Sequence, residues 1–465
     1  MEIKSSVGYH WTGHPLVDMG IATIMAFSDV EDPGKLNKAH LEAFSSYAEE
    51  AYFSPYLSGY LSVLFTANFL NPSWKPEQKK RHVHNLLRSF QLEGDKSLPS
   101  CTFCGRDSIR LPYLNETRGF LAYRDLVPMI SGEAIINFFP DGKYGLPLCG
   151  LCTLAIQALT IGSPSCEGNA LIVSSDNPKL ILEIIKNWLP EQRARIQLSL
   201  ATGEKSRWSR PLTRLMDAMA KLENIDFSEG GRITLYVISN SGQGPSVEIF
   251  ELPAVITSFF VKARQSRYRE TWQNIVSDAW EKPPKNQDFE QSKSKLRNSL
   301  YEDLFKLPVE SQRFIRRYLL PKSKGITTEK DQEAKYRRWN LTELFLKEVV
   351  AMDKERIEDI RNLADQIADE IVTSNDKDLW WKAYTAQSFQ NVRNLLISQS
   401  RKLLQNGKKP LITLDNFLNI FEEGEELARA DWRLAWDLVM IRLIEQLYQQ
   451  HWFEKNKEAL IIEEK

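Results

Sequence analysis

The sequence predicts an α+β protein, with a large mixed N-terminal domain that includes a β-hairpin and a C-terminal helical bundle. Three observations lead there. Short apolar runs of strand character lie between residues 170 and 252. Helix-length apolar stripes fill the chain beyond residue 350. Four of the five cysteines form two CxxC pairs in the mixed half.

Taken in order, HPLVDMGIATIMAF (14–27) reads as a turn entering a buried helix, with Pro15 in its first turn. Residues 36–69 carry apolar positions at helical spacing, and a polar-faced helix follows Pro76, with His82 and His84 on its surface. ALIVSS (170–175) predicts a strand and PKLILEIIKNWL (178–189) a helix. Residues 192–201, RITLYVIS (232–239) and SVEIFEL (246–252) predict strands. NSGQGP joins the last two as a hairpin with a glycine-rich tip. EKPPKNQDFEQSKSK (281–295) reads as an exposed loop. A helical segment over 301–320 precedes PKSKGITTEKDQEAK (321–335), the preferred domain boundary.

Beyond that boundary the periodicity is helical throughout. Ile357, Ile360, Leu363, Ala364, Ile367 and Ile371 trace one stripe, and Leu379 to Leu396 a second. Leu414 to Phe421 make a short third, and Leu427 to Tyr448 a long fourth. The resulting partition is a mixed domain over 1–320, a linker over 321–340 and a bundle over 341–465.

Cys101 and Cys104 in CTFCG are matched by Cys149 and Cys152 in LCGLC. A two-residue gap lets one tight turn present both thiolates to one ion, and four thiolates suit tetrahedral Zn2+. Gly105 and Gly150 are expected to let the backbone bend around the metal. Residues of about 97–155 then form a zinc module, with 105–148 pinned at its base. Four sulfurs leave no coordination position for substrate, so the zinc is structural. Cys166 reads as an ordinary thiol.

The composition, 42% hydrophobic and 26% charged, is that of a folded soluble chain, and a formal net charge of −1 gives no global positive field. The N-terminus lacks a signal-peptide pattern and no apolar run would span a bilayer, so a cytoplasmic protein without membrane association is expected. No phosphate-binding loop, nucleophile elbow or HExxH is present; ATGEKS lacks the first glycine of a phosphate loop. His10 and His14 are four apart, but Gly13 and Pro15 argue against the helix that would align them on a metal. A non-enzymatic binding role follows.

Basic stretches with aromatic neighbours are the positive sign for nucleic acid. KSRWSRPLTR offers Lys205, Arg207 and Arg210, and KARQSRYRETW offers Lys262, Arg264, Arg267 and Arg269. RNLLISQSRKLLQNGKK offers Arg393, Arg401, Lys402, Lys408 and Lys409, while RFIRRYLLPK (313–322) and KYRRW (335–339) repeat the pattern. Asn240, Ser241 and Gln243 place amides and a hydroxyl on the hairpin tip, where they could read base edges.

The opening TGHPLVDMGIA, the paired CTFCG and CGLC, and SNSGQGP followed by a strand and a proline resemble the CxxC–CxxC large subunit of type I-B CRISPR Cascade complexes. That family has a smaller residue where His14 stands. The resemblance implies a subunit that binds the guide RNA 5′ end, recognises the protospacer-adjacent motif in duplex DNA and promotes strand opening into an R-loop. Base pairing supplies the remaining specificity. It implies as partners the backbone, guide-5′-end, guide-processing and small subunits, and a helicase-nuclease or transposition proteins as effector. It further implies a separate small subunit translated from an internal start, for which Met352 is the candidate and a codon at Val349 or Val350 the rival. The alternative is a zinc-stabilised protein–protein adaptor that contacts no nucleic acid.

Overall fold

The computed structural model describes residues 7–65, 70, 73–111, 121–129, 145–204, 208–222, 231–239, 245–319, 339–422, 428–429 and 431–456. The protein is α+β and divides into two compact units, one of Met1–Thr257 with Trp280–Phe305, the other of Ser258–Ala279 with Lys306–Lys465. Among the described residues no helix is long and apolar enough to cross a membrane.

The first unit is organised around helix α1 (Pro15–Ser28), in which every residue from Val17 to Met25 is buried. A helix buried on all sides belongs at the centre of a core. It packs on α5 (Gly150–Gly162) and α6 (Pro178–Thr202). Two glycines permit the α1–α5 approach. A Cβ on Gly20 would lie 1.8 Å from the Ala155 carbonyl oxygen, and one on Gly162 would lie 2.1 Å from Thr23 Oγ1. Helices α2 (Lys38–Ala51), α3 (Pro55–Leu64) and α4 (Pro76–Leu87) follow α1 in sequence. The helical spacing expected over 36–69 is realised as two helices, because Ser54 caps Leu57 through its hydroxyl and Pro55 takes the first helical position.

Strands β1 (Ser165–Cys166), β2 (Asn169–Ser175), β3 (Ile233–Ser239) and β4 (Ser246–Leu252) form one antiparallel sheet in sequence order. Its register pairs Ile172 with Tyr236, and Tyr236 with Ile249. No strand forms over 192–201, which instead extends α6 through Pro190. Gln192, Ile196 and Ser199 make one buried helical face there. Tyr56 of α3 donates its hydroxyl to Gln192 at 2.7 Å and its backbone N–H to Ser199 at 3.3 Å. Helices α7 (Pro211–Met219), α10 (Phe289–Ser292) and α11 (Ser299–Leu304) complete this unit, α10 being a short turn inside the expected 281–295 loop. His82 is buried edge-on to Trp74 with ring centroids 5.2 Å apart, so of this pair His84 alone lies on the surface.

Helix α8 (Ala254–Ala263) carries the chain into the second unit, followed by α9 (Arg269–Asp278), α12 (Ser311–Phe314) and a π-helical turn over Ile315–Leu319. Phe345 of α13 (Trp339–Glu348) lies edge-on to Phe259 at 5.2 Å and stacks on Phe314 at 5.1 Å, and Phe259 also meets Trp272. This aromatic cluster joins 258–279 and 306–319 to the C-terminal helices, whereas the sequence reading grouped them with the mixed domain. Of the expected 321–340 linker, residues 321–338 lie outside the described residues, and Trp339 and Asn340 open α13. The bundle continues with α14 (Lys354–Ser374), α15 (Lys377–Tyr384), α16 (Phe389–Gln405), α17 (Leu414–Phe421), α18 (Trp432–Gln449) and α19 (Trp452–Lys455). The second expected stripe is two helices, because Ser388 caps a new one at Asn391.

Arg356, buried on α14, ties the bundle together. Its guanidinium donates to both oxygens of Asp431, at 2.7 and 2.8 Å, and to the Ile420 carbonyl at 2.9 Å. Burial raises the Asp431 pKa, but hydrogen bonding to Arg356 outweighs it and holds the carboxyl below its usual range. Arg356→Ala strands the half-buried Asp431 carboxylate and leaves the Ile420 carbonyl without its donor, and is expected to cost about 2–3 kcal/mol in urea unfolding. The depressed folded pKa means the pair's contribution is complete above about pH 4, the unfolded aspartate value, and is lost as pH falls through the folded value. The variant should lose that part of the acid dependence.

Candidate metal centre and basic surfaces

The two CxxC pairs converge. The sulfurs of Cys101, Cys104, Cys149 and Cys152 all lie within 4.8 Å of one another, with Cys104 and Cys149 3.5 Å apart. Four sulfurs about 2.3 Å from a tetrahedral ion would sit roughly 3.8 Å apart, so the cluster has the right scale. Cys101, Cys149 and Cys152 are buried and Cys104 is half-buried.

Each pair is placed by its own local structure. Gly105 has φ +74° and donates to the Cys101 carbonyl at 2.9 Å, while Cys101 N–H donates to Arg106 at 2.7 Å, closing a tight knuckle. Cys149 is the N-cap of α5, its sulfur accepting from the Cys152 N–H at 3.4 Å. The knuckle is laced to the approach of α5 by Thr102 N–H to Pro147 at 3.0 Å and Ile109 N–H to Leu148 at 2.8 Å. Gly150 does not bend around the ion as expected. It lies in the first turn of α5, where a Cβ would meet the Ser89 carbonyl oxygen at 2.1 Å, so its role is close packing.

The opening segment covers the cluster. Tyr9 is buried and donates its hydroxyl to the Leu151 carbonyl at 2.7 Å; burial, then the neighbouring Cys152 and Cys149, push its pKa well up. Arg106 donates to the Gly8 carbonyl, and the His14 ring lies 4.5 Å from that of Phe103. Asp18 on α1 holds this turn by accepting from Thr12 N–H at 2.7 Å, Thr12 Oγ1 at 2.8 Å and Gly13 N–H at 2.9 Å. The TGHPLVD pattern is therefore a clasp between the buried helix and the knuckle. Tyr9 and Asp18 were not singled out from the sequence, since their roles depend on partners in the folded chain. His10 and His14 are not among the four ligands, and α1 begins only at Pro15, so no helix aligns the two imidazoles.

Such close thiols compete for protons. Hydrogen bonds from Cys104, Cys149 and Cys152 pull Cys101 far down, and hydrogen bonds to Cys101, Cys104 and Cys149 push Cys152 far up. A bound cation would let all four ionise. The set could hold a metal ion, with every tetrahedral position filled by protein sulfur. Cys166, buried and separate, has its thiol pushed up to about 12, first by burial.

The hairpin-tip residues Asn240, Ser241 and Gln243 lie outside the described residues; the β3–β4 register ends at Ser239 opposite Ser246. Lys205 and Arg207 also lie outside. Arg210 is exposed at the start of α7 with φ +63°, its N–H donating to Glu167 at 3.1 Å. Lys262 is paired with Glu348 at 2.7 Å, Arg264 lies over the Phe260 ring and Arg267 over Tyr268. Arg269 donates to the Arg264 carbonyl at 3.2 Å. On and after α16, Lys402 is paired with Asp376 at 2.6 Å and Lys408 with Glu370 at 2.9 Å, whereas Arg393, Arg401 and Lys409 are exposed. Met352 is buried between α13 and α14, one residue before the Asp353 cap.

Residues 94–164 match the family model of a CRISPR-associated protein, Cas_CXXC_CXXC. This CXXC–CXXC segment contains the knuckle, all four sulfurs and the whole of α5, so the family signature coincides with the candidate metal centre. A CRISPR-associated protein works with other Cas components. No curated protein and no solved structure matches the chain.

Proposed function

We propose that the chain is the large subunit of a type I-B CRISPR RNA-guided surveillance complex. In this reading it binds the guide RNA 5′ end, recognises the protospacer-adjacent motif, promotes R-loop formation and presents the complex to a helicase-nuclease or transposition effector. It makes no bonds of its own. The observation that carries the reading is the closed four-sulfur cluster inside the segment that matches the CRISPR-associated family. The ion is Zn2+, the common partner of four cysteine sulfurs in a tetrahedral site, and its role is to hold the knuckle against α5. Arg267, exposed over the Tyr268 ring, and Arg269, exposed two residues on, are the strongest phosphate candidates in the described chain. Asn240, Ser241 and Gln243 are assigned to motif reading.

Purification of the chain with its own complex is expected to yield about one zinc per chain by elemental analysis and RNA of uniform length. A complex without RNA would end this reading and favour the protein–protein adaptor. Gln243→Ala should change which adjacent motif is bound. Arg267→Gln with Arg269→Gln should weaken all sequences alike and flatten the salt dependence.

The small subunit is produced from Met352. A start there places the new N-terminus one residue before the α14 cap and keeps α14 with α18, its main packing partner. Mass spectrometry of the complex is expected to find the 352–465 product, and Met352→Leu to remove it. A product starting at 349 or 350 would reassign the start.

A further inference from the structure

One face of α16 carries a feature that strand binding does not explain. Arg393, Ile397, Arg401 and Leu404 are four, four and three residues apart, which places them within about 80° of arc on an α-helix. Ile397 is 56% and Leu404 58% exposed. The opposite side of the helix is sealed in the core by Val392, Leu395 and Leu403. The chain entering α17 returns to this helix, with Leu411 N–H donating to Ser400 Oγ at 3.1 Å and the Phe389 and Phe417 rings 6.4 Å apart. Helix α17 itself exposes Leu414 and Leu418, 71% and 39%.

The cations of α16 and of the turn after it are of two kinds. Lys402 and Lys408 are already neutralised within the bundle by Asp376 and Glu370. Arg393 and Arg401, which border the exposed aliphatic residues, are exposed and have no acidic partner among the described residues. A single strand of nucleic acid is held by cations together with flat rings on which bases stack. The exposed apolar side chains beside Arg393 and Arg401 are aliphatic, and the nearby Phe389 and Phe417 rings are partly buried and lie against each other. Aliphatic side chains flanked by uncompensated arginines match a different ligand. That ligand buries its own apolar side chains on the stripe and supplies carboxylates at its rim.

We propose that the α16 face docks an amphipathic helix of a partner protein, with aspartate or glutamate bordering its apolar stripe. The surface is distinct from the metal centre, and the proposal does not depend on the guide-RNA reading above.

The test places photoreactive p-benzoylphenylalanine at position 397 or, separately, at position 404 of the full chain, with irradiation in cells that make its native complex. The expected product is a crosslink to another polypeptide, with acidic residues beside apolar ones at helical spacing in the crosslinked peptide. The charge-reversed chain, Arg393→Glu with Arg401→Glu, should lower the yield at least five-fold while melting within a few degrees of the parent. A synthetic copy of the crosslinked peptide should bind the parent chain at least ten-fold more tightly than the reversed one. Crosslinks to nucleic acid, to a second copy of this chain or to a peptide without acidic residues would overturn the proposal. So would absence of adduct from both positions, or yields that charge reversal leaves unchanged.

Discussion

Cys149→Ser is expected to cost the protein its bound metal and several kcal/mol of stability, lowering the melting temperature by on the order of 10 °C. The substitution is informative because Cys149 has two jobs in the proposed zinc site, as one of the four sulfur ligands and as the N-cap of α5 through its sulfur. Serine is a good N-cap, so the helix start survives and the loss reports the ligand. Cys149→Ala removes both and should cost about 1 kcal/mol more. The parent protein treated with a strong chelator should melt near the serine variant, while the variant should ignore the chelator. Cys166→Ser provides the control, since this thiol lies outside the cluster and its loss should leave the zinc content unchanged. A serine variant that keeps a full complement of zinc and its melting temperature would remove the metal from the architecture.

The second large effect is expected at a residue with no side chain. Gly20→Ala places a methyl group 1.8 Å from the Ala155 carbonyl oxygen, on backbone that has no flexible end to move. The α1–α5 pair must separate, at a cost of about 3 kcal/mol or more. Because α5 carries Cys149 and Cys152 at its start, the variant should also bind zinc less tightly, read by competition with a chromogenic chelator. Gly59→Ala makes the opposite case. Gly59 lies within α3, no atom falls within 4 Å of its added Cβ, and its φ is ordinary. Alanine there should stabilise by about 0.5–1 kcal/mol. The same substitution thus has opposite signs at two helical glycines, according to what lies opposite. Equal effects at the two sites in urea unfolding would contradict the helix packing described.

The hairpin strands, the cysteine pairs and the bundle stripes were legible because each is written in short-range spacing. The α6 error shows the limit. RARIQLSL (193–200) alternates polar and apolar residues as a strand does, yet with Gln192 just before it the same stretch places Gln192, Ile196 and Ser199 on one helical face. What selects the helix is Tyr56 from α3, more than 130 residues away in sequence. The basic neighbours of His82 point to a surface position, and the Trp74 ring that buries it is not a periodic signal. The charge of α16 was counted from its lysines and arginines, but the acids that neutralise Lys402 and Lys408 come from α14 and the start of α15.

From its sequence alone the chain was committed to a pair of thiolate turns, a hairpin and a series of amphipathic helices, since ligand spacing and periodicity of 2 or 3.6 are local properties of a polymer. The tertiary structure alone decided that the two turns meet, that residues 258–279 join the bundle through Phe259 and Phe345, and that Gly20 and Gly150 are needed for contact. It also decided which cations remain free on α16. These outcomes depend on distances between residues far apart in the chain, set by close packing of side chains and by the pairing of buried polar groups, and neither is visible in the order of the residues.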